Sequence, residues 1–173
     1  MELITPKEKE KKALNARNLF FSFAVVFLFF FGIKGHYHIS INSLTDSLPH
    51  LFYIIESGSD FKRNNYIEFE YKSEHKMYFK NGSRFIKKVV GMPGDKITFH
   101  DNIFYINDFP FGQVKELARD GKKLVSNTNK VLEKNEYFVF SPHKDSFDSR
   151  YVYVGYVKKK QVLGKVVFKF WRK

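Results

Sequence analysis

The 173-residue chain has no cysteine, which excludes a thiol nucleophile, a disulfide framework and a thiolate metal site. Its six histidines, His36, His38, His50, His75, His100 and His143, form no HxxxH or HExxH spacing, so a zinc hydrolase lacks its ligands. His36 and His38 stand close enough to chelate, but they follow an apolar segment where amphipathic side chains are common. Neither a metal nor a cofactor is expected. Beyond that segment there is no convincing 3.6-residue period, no internal repeat and no low-complexity tract apart from a charged leader. Clustered basic residues are also scarce. The net charge is +12, yet the cations are scattered, and only Lys158-Lys159-Lys160 forms a run. That run reads as a solvated loop or a lipid-facing patch, and nucleic acid is not expected as a partner.

One long uncharged stretch is present, from Asn18 to Ile33. Sixteen residues at about 1.5 Å each reach about 24 Å, short of a hydrocarbon core of about 30 Å. Arg17 and Lys34 at its ends snorkel toward the headgroups and supply the difference. A cleaved signal peptide is the competing reading, but Gly32 to His38 offers no small-x-small cleavage site. Lys7, Lys9, Lys11, Lys12 and Arg17 put the N-terminus in the cytoplasm by the positive-inside rule. The expected organisation is a basic leader (1–17), a transmembrane signal anchor (18–34) and one periplasmic domain (35–173), tethered by a single pass to the inner membrane. The domain is large enough for one core.

That domain reads as strands. Tyr66 to Tyr71 alternates with period two; Lys96 to Phe99 and Ile103 to Ile106 flank an Asp101-Asn102 turn; Tyr137 to Phe140 and Val166 to Phe168 are further candidates. Twenty-one Phe and ten Tyr favour sheet over helix. Val114 to Ala118 is expected to form at most one helical turn. The fold class is therefore mainly β, an N-terminal transmembrane helix followed by one antiparallel β domain.

Glu68 and Glu70 lie two apart on a strand and share one face, which is expected to be exposed. Pro93-Gly94 is the strongest turn signal and follows the strand-like Phe85 to Val90. A lysine inside such a strand must snorkel to water or give up its charge, since an unpaired buried ammonium is costly. Acting as a base near neutral pH requires a fall of two to three pKa units, about 3–4 kcal/mol of differential desolvation. Periodicity does not choose the lysine: Lys87 shares a face with Phe85 and Val89, Lys88 shares the other with Ile86 and Val90, and both could be edge-strand charges.

Phe85-Ile86-Lys87-Lys88-Val89-Val90-Gly91-Met92-Pro93-Gly94-Asp95 resembles the lysine motif of type I signal peptidases. Three further blocks are similar and follow in the family's order. Thr45-Asp46-Ser47-Leu48-Pro49 resembles the nucleophile block, and Ile97 through Asp108 the hairpin after the lysine. Glu136 to Phe140, with Asp145-Ser146-Phe147-Asp148-Ser149-Arg150-Tyr151, resembles the C-terminal block. Within the family, Pro49 two after Ser47, an aromatic at Tyr53 and a histidine ahead of Asp-Ser-Phe-Asp-Ser-Arg look like conjugative-transfer signal peptidases of the TraF type. Leu51 departs from the glycine common there.

The resemblance implies a serine–lysine endopeptidase of signal-peptidase fold. Ser47 would be the nucleophile and Lys87 the general base, with Lys88 its basic neighbour. The Ser47 backbone N–H and the Thr45 hydroxyl would hold the oxyanion. Ser146 matches the position whose hydroxyl orients the lysine, and Asp148 and Arg150 would form a supporting ion pair along an extended segment. The family prefers small side chains one and three residues before the cut. The implied partners are the lipid bilayer and a precursor protein, a conjugative pilin precursor in the TraF type, whose acyl-enzyme ends in hydrolysis or in cyclisation. Three alternatives stand beside this: a general type I signal peptidase, a non-enzymatic component of a transfer apparatus, and a Ser–His–Asp site from His143, Asp145 and Ser146. The last is disfavoured because triads are assembled from separate elements.

Overall fold

Alternating, aromatic-rich stretches become hydrogen-bonded strands in the computed structural model, which describes residues 15, 17–24, 35–41, 48, 50–75 and 78–171. The chain divides into two compact units, 1–37 and 38–173. In the first, residues 17–24 are helical. Among the described residues no helix is long and apolar enough to cross a membrane; residues 25–34 of the expected anchor, and nearly all of the basic leader, lie outside them.

The described strands are β1 (Tyr37–Ile41), β2 (His50–Ser57), β3 (Tyr66–Glu70), β4 (Arg84–Gly91), β5 (Lys96–His100), β6 (Ile103–Ile106), β7 (Phe109–Gln113), β8 (Lys130–Val131), β9 (Glu136–Phe140), β10 (Val157–Lys158) and β11 (Val162–Trp171). They form a seven-stranded sheet, ordered β1-β2-β11-β3-β4-β9-β10, and a four-stranded sheet, ordered β7-β6-β5-β8. The fold is mainly β and antiparallel, as expected. Asp101 and Asn102 take φ of 52° and 56°, the left-handed pair that a two-residue hairpin turn needs, and both residue types tolerate it.

Val90, Ile97, Phe104, Ile106, Leu132 and Phe138 form a common buried cluster between the two sheets. Phe104 and Phe138 are fully buried with ring centroids 5.1 Å apart. Each such side chain contributes about 1.5–3 kcal/mol by leaving water. A second cluster gathers Phe69, Tyr71, Val89, Tyr137 and Val139 around β4.

Three expectations are corrected. Glu68 is not exposed: it is fully buried, because β11 and β4 pair on either side of β3 and the His38 ring meets its carboxylate at 2.6 Å. Val114 to Ala118 forms no helical turn, since the Ala118 N–H donates to the Lys122 carbonyl and Leu117 pairs with Lys123 in an isolated antiparallel bridge. The lysine run is not a plain loop: Lys158 closes β10 and Lys159–Gln161 is a 3-10 turn, with Lys159 Nζ 3.4 Å from Asp60.

Candidate active site

β4 is an interior strand, not an edge. Lys87 stands opposite Ile67 of β3, and Lys88 stands between Tyr66 of β3 and Phe140 of β9. The strand runs into the Pro93-Gly94 turn, where Gly94 takes φ of +90°, a conformation glycine adopts without a Cβ clash. At Gly91 an added Cβ would come within 2.7 Å of the Phe138 Cβ, so only glycine lets β9 close against the end of β4. Asp95 locks the turn by accepting the Met92 N–H at 2.7 Å, an Asn107 Nδ2 donor at 2.9 Å and the Arg63 guanidinium at 2.7 Å. The motif's glycines and aspartate thus hold β4 in register.

In that register Lys87 and Lys88 separate. Lys87 is 5% exposed and its Nζ donates to Ser146 Oγ at 2.9 Å. Lys88 is half-buried. Burial pushes the Lys87 ammonium down to about 8; the Asp148 carboxylate pulls the other way, and the Arg150 guanidinium adds to the fall. Desolvation wins because the two neighbouring charges nearly cancel. Arg150 Nε lies 2.8 Å from Asp148 Oδ1 and Nη2 lies 3.0 Å from Oδ2, a two-pronged pair that presents little net field to a third group.

The same ion pair sets the loop that carries Ser146. Arg150 Nη2 donates to the carbonyls of His143 and Ser146 at 3.3 and 3.2 Å, and Nη1 to that of Gln113 at 3.0 Å. Asp148 accepts the Ser141 N–H at 3.1 Å. Both side chains are buried. The segment is a series of bends and turns, not extended as expected. The pair closes because the turn returns both the Arg150 N–H and Nε to Asp148 Oδ1.

Lys87 and Ser146 line a cleft of about 690 Å³. Leu48, Tyr53, Phe79 and Ile86 supply apolar lining, while Lys115, Arg119 and Asp145 stand among its polar groups. Of the residues singled out from sequence, Lys87, Ser146, Asp148 and Arg150 are therefore brought together. Thr45 and Ser47 lie outside the described residues. Leu48, which directly follows Ser47, is buried in the cleft lining.

A Ser–His–Asp arrangement is not formed. His143 Nδ1 accepts the Asp145 N–H at 3.2 Å, and the Asp145 carboxylate faces Lys115 at 2.6 Å and Arg119 at 2.7 Å. Hydrogen bonds from those two cations hold the Asp145 carboxyl down to about 2. Lys115 and Arg119 were not singled out from sequence: they fall in an irregular segment with no motif, and only the fold brings them to the loop of Ser146.

The family model described as signal peptidase, peptidase S26, matches residues 14–171. A signal peptidase I of Bacillus caldolyticus is 33% identical over 99 residues, covering 50% of this chain and 53% of that protein. A signal peptidase IB of Staphylococcus aureus is 30% identical over 108 residues, covering 50% and 53%. The chain thus spans about half the length of the curated relatives it matches. A solved signal peptidase I of Enterococcus faecalis V583 is 24% identical, covering 62% of this chain and 97% of that one, with a TM-score of 0.41. On the family match, which takes in the strand of Lys87 and the loop of Ser146, this chain is a member of the signal peptidase, peptidase S26, family.

Proposed function

We propose that the chain is a membrane-anchored serine endopeptidase that matures a secreted precursor through an acyl-enzyme on Ser47, with Lys87 as general base. The observation that carries this reading is the buried Lys87 amine, lowered to about 8 and hydrogen-bonded to Ser146 at the wall of a peptide-sized cleft. A lysine lowered to that value is about a tenth neutral at pH 7 and about half neutral at pH 8, enough to accept the serine proton and return it to the departing amine. The Ser47 backbone N–H and the Thr45 hydroxyl stabilise the tetrahedral oxyanion. Ser146 turns the amine toward the cleft, and Asp148 with Arg150 keeps Ser146 in place. No cofactor takes part.

Residues 18–34 anchor the enzyme in the cytoplasmic membrane, with the leader (1–17) inside and residues 35–173 on the outer, periplasmic face. Only about thirteen residues separate Lys34 from Ser47, so the nucleophile works near the bilayer surface, where a precursor emerges from its own apolar segment. The Ser-Leu-Pro spacing and His143 favour a TraF-type role on a conjugative pilin precursor over general signal-peptide removal. In that role the pilin's own amino group competes with water for the acyl-enzyme.

The test is co-expression of a candidate pilin precursor with wild type, Ser47→Ala and Lys87→Ala, followed by intact-mass measurement. Processing by wild type and an unprocessed mass with both variants are expected. A mature mass lower by one water marks cyclisation. Processing that persists in both variants would refute the serine–lysine mechanism and leave a scaffold role.

A further inference from the structure

The wall of the cleft carries surplus positive charge. Arg84, Lys115, Arg119 and Lys144 line it beside two carboxylates, Asp120 and Asp145. Both carboxylates are already engaged. Asp145 faces Lys115 and Arg119 together, and Asp120 accepts the Tyr78 hydroxyl at 2.7 Å and faces Lys122 Nζ at 2.9 Å. Arg119 meets Asp145 through Nε alone. Its side chain is 66% exposed, and among the described residues its two Nη groups bond to nothing. Arg84 and Lys144 are exposed and form no ion pair among the described residues.

Like charges gathered in a concave, partly apolar wall repel one another, and such a wall focuses their field into the space it encloses. An anionic occupant relieves the repulsion. A bilayer is too broad to enter a cleft of about 690 Å³, whereas an extended peptide fits and carries its charges at side-chain spacing. We propose that this wall selects precursors bearing an Asp or Glu side chain within a few residues of the scissile bond, with the free Nη edge of Arg119 receiving the carboxylate. The proposal rests on the protease reading and specifies its substrate. A planar guanidinium edge suits a carboxylate because two parallel N–H donors meet its two oxygens, while Lys144 and Arg84 add attraction without fixed geometry.

The experiment uses the full chain in neutral detergent micelles. Fluorogenic peptides with Ala one and three residues before the cut carry Glu, Gln or Lys at each flanking position in turn. The expected result, at one or two positions, is a roughly five- to tenfold higher kcat/KM for Glu than for Lys, carried mainly by KM and shrinking as salt is added. Arg119→Glu should invert the Glu-to-Lys ratio, and Lys144→Glu should lower it. Because each ratio is taken within one preparation, any loss of folded enzyme cancels. A wild-type ratio near one at every position, or one unchanged by both variants, overturns the charge preference alone. A wild-type ratio near one in micelles, with activity that instead rises on anionic vesicles, assigns the wall to lipid and likewise overturns it. Failure to cleave any peptide removes the protease reading, and this inference with it.

Discussion

Lys87 Nζ donates to Ser146 Oγ across 2.9 Å, both side chains buried at the wall of the cleft, so the one lysine that the strand buries is held by a hydroxyl and not by a carboxylate. A carboxylate there would stabilise the ammonium and raise its pKa. A hydroxyl orients the amine and leaves desolvation to lower it.

The proposed activity should therefore rise with pH along a limb set by Lys87. The free base is the active form, and its pKa is about 8, so kcat/KM is expected to climb tenfold per unit below that value and level off above it. Ser146→Ala removes the oriented acceptor and should lower kcat/KM by roughly 10- to 100-fold. A pH–rate profile flat from 6 to 9 would exclude Lys87 as the base.

Stability should respond to Lys87 in the opposite sense to a usual surface lysine. Its folded value, about 8, lies below the ordinary 10.5, so below pH 8 the folded state must discharge or bury the ammonium while the unfolded state keeps it solvated. The penalty is about 3 kcal/mol; it fades as pH rises from 8 to 10.5 and is absent above. Lys87→Met is expected to be more stable than wild type at pH 7 and level with it near pH 11. Denaturant titrations at both values check this, and a variant less stable at pH 7 would contradict it.

Arg150→Lys should be nearly as damaging as Arg150→Met. Arg150 contacts both Asp148 oxygens and three carbonyls from one rigid guanidinium, and a lysine ammonium cannot cover that fork. Leaving Asp148 buried without its partner costs about 3–5 kcal/mol. Thermal unfolding of both variants reads the effect, and a lysine variant with wild-type stability would show that charge alone suffices.

His38→Ala is expected to destabilise the domain by about 2–4 kcal/mol. Glu68 is fully buried, His38 Nε2 lies 2.6 Å from Oε2, and Nδ1 is 3.3 Å from Ser57 Oγ, so truncation strands a buried carboxylate. Glu68→Gln in the same background should recover part of the loss, because an amide tolerates burial better than a charge. Absence of that recovery in a double-mutant cycle would mean that the ring acts by packing alone.

How far the site was legible depended on whether its parts are local. The Lys87 strand, the Pro93-Gly94 turn and the Asp101-Asn102 hairpin are written in short-range alternation and turn chemistry, and they appear where expected. β1, β2, β7, β8 and β10 were not anticipated: β2 pairs with β11 more than a hundred positions away, β8 and β10 have only two residues each, and Pro110 and Gly112 interrupt β7. The choice between Lys87 and Lys88 rested on the motif's order, because both faces of β4 look equally apolar along the chain.

Sequence alone sufficed for the β class, the absence of thiol chemistry and the family resemblance, because each is a property of composition or of short motifs. Tertiary structure decided which lysine loses its water, where Ser146 stands, that Glu68 is buried, and that Lys115 and Arg119 join Asp145. Those outcomes depend on solvent exclusion and on contacts between residues 26 to 59 positions apart. Desolvation and long-range charge pairing exist only once the sheets have closed.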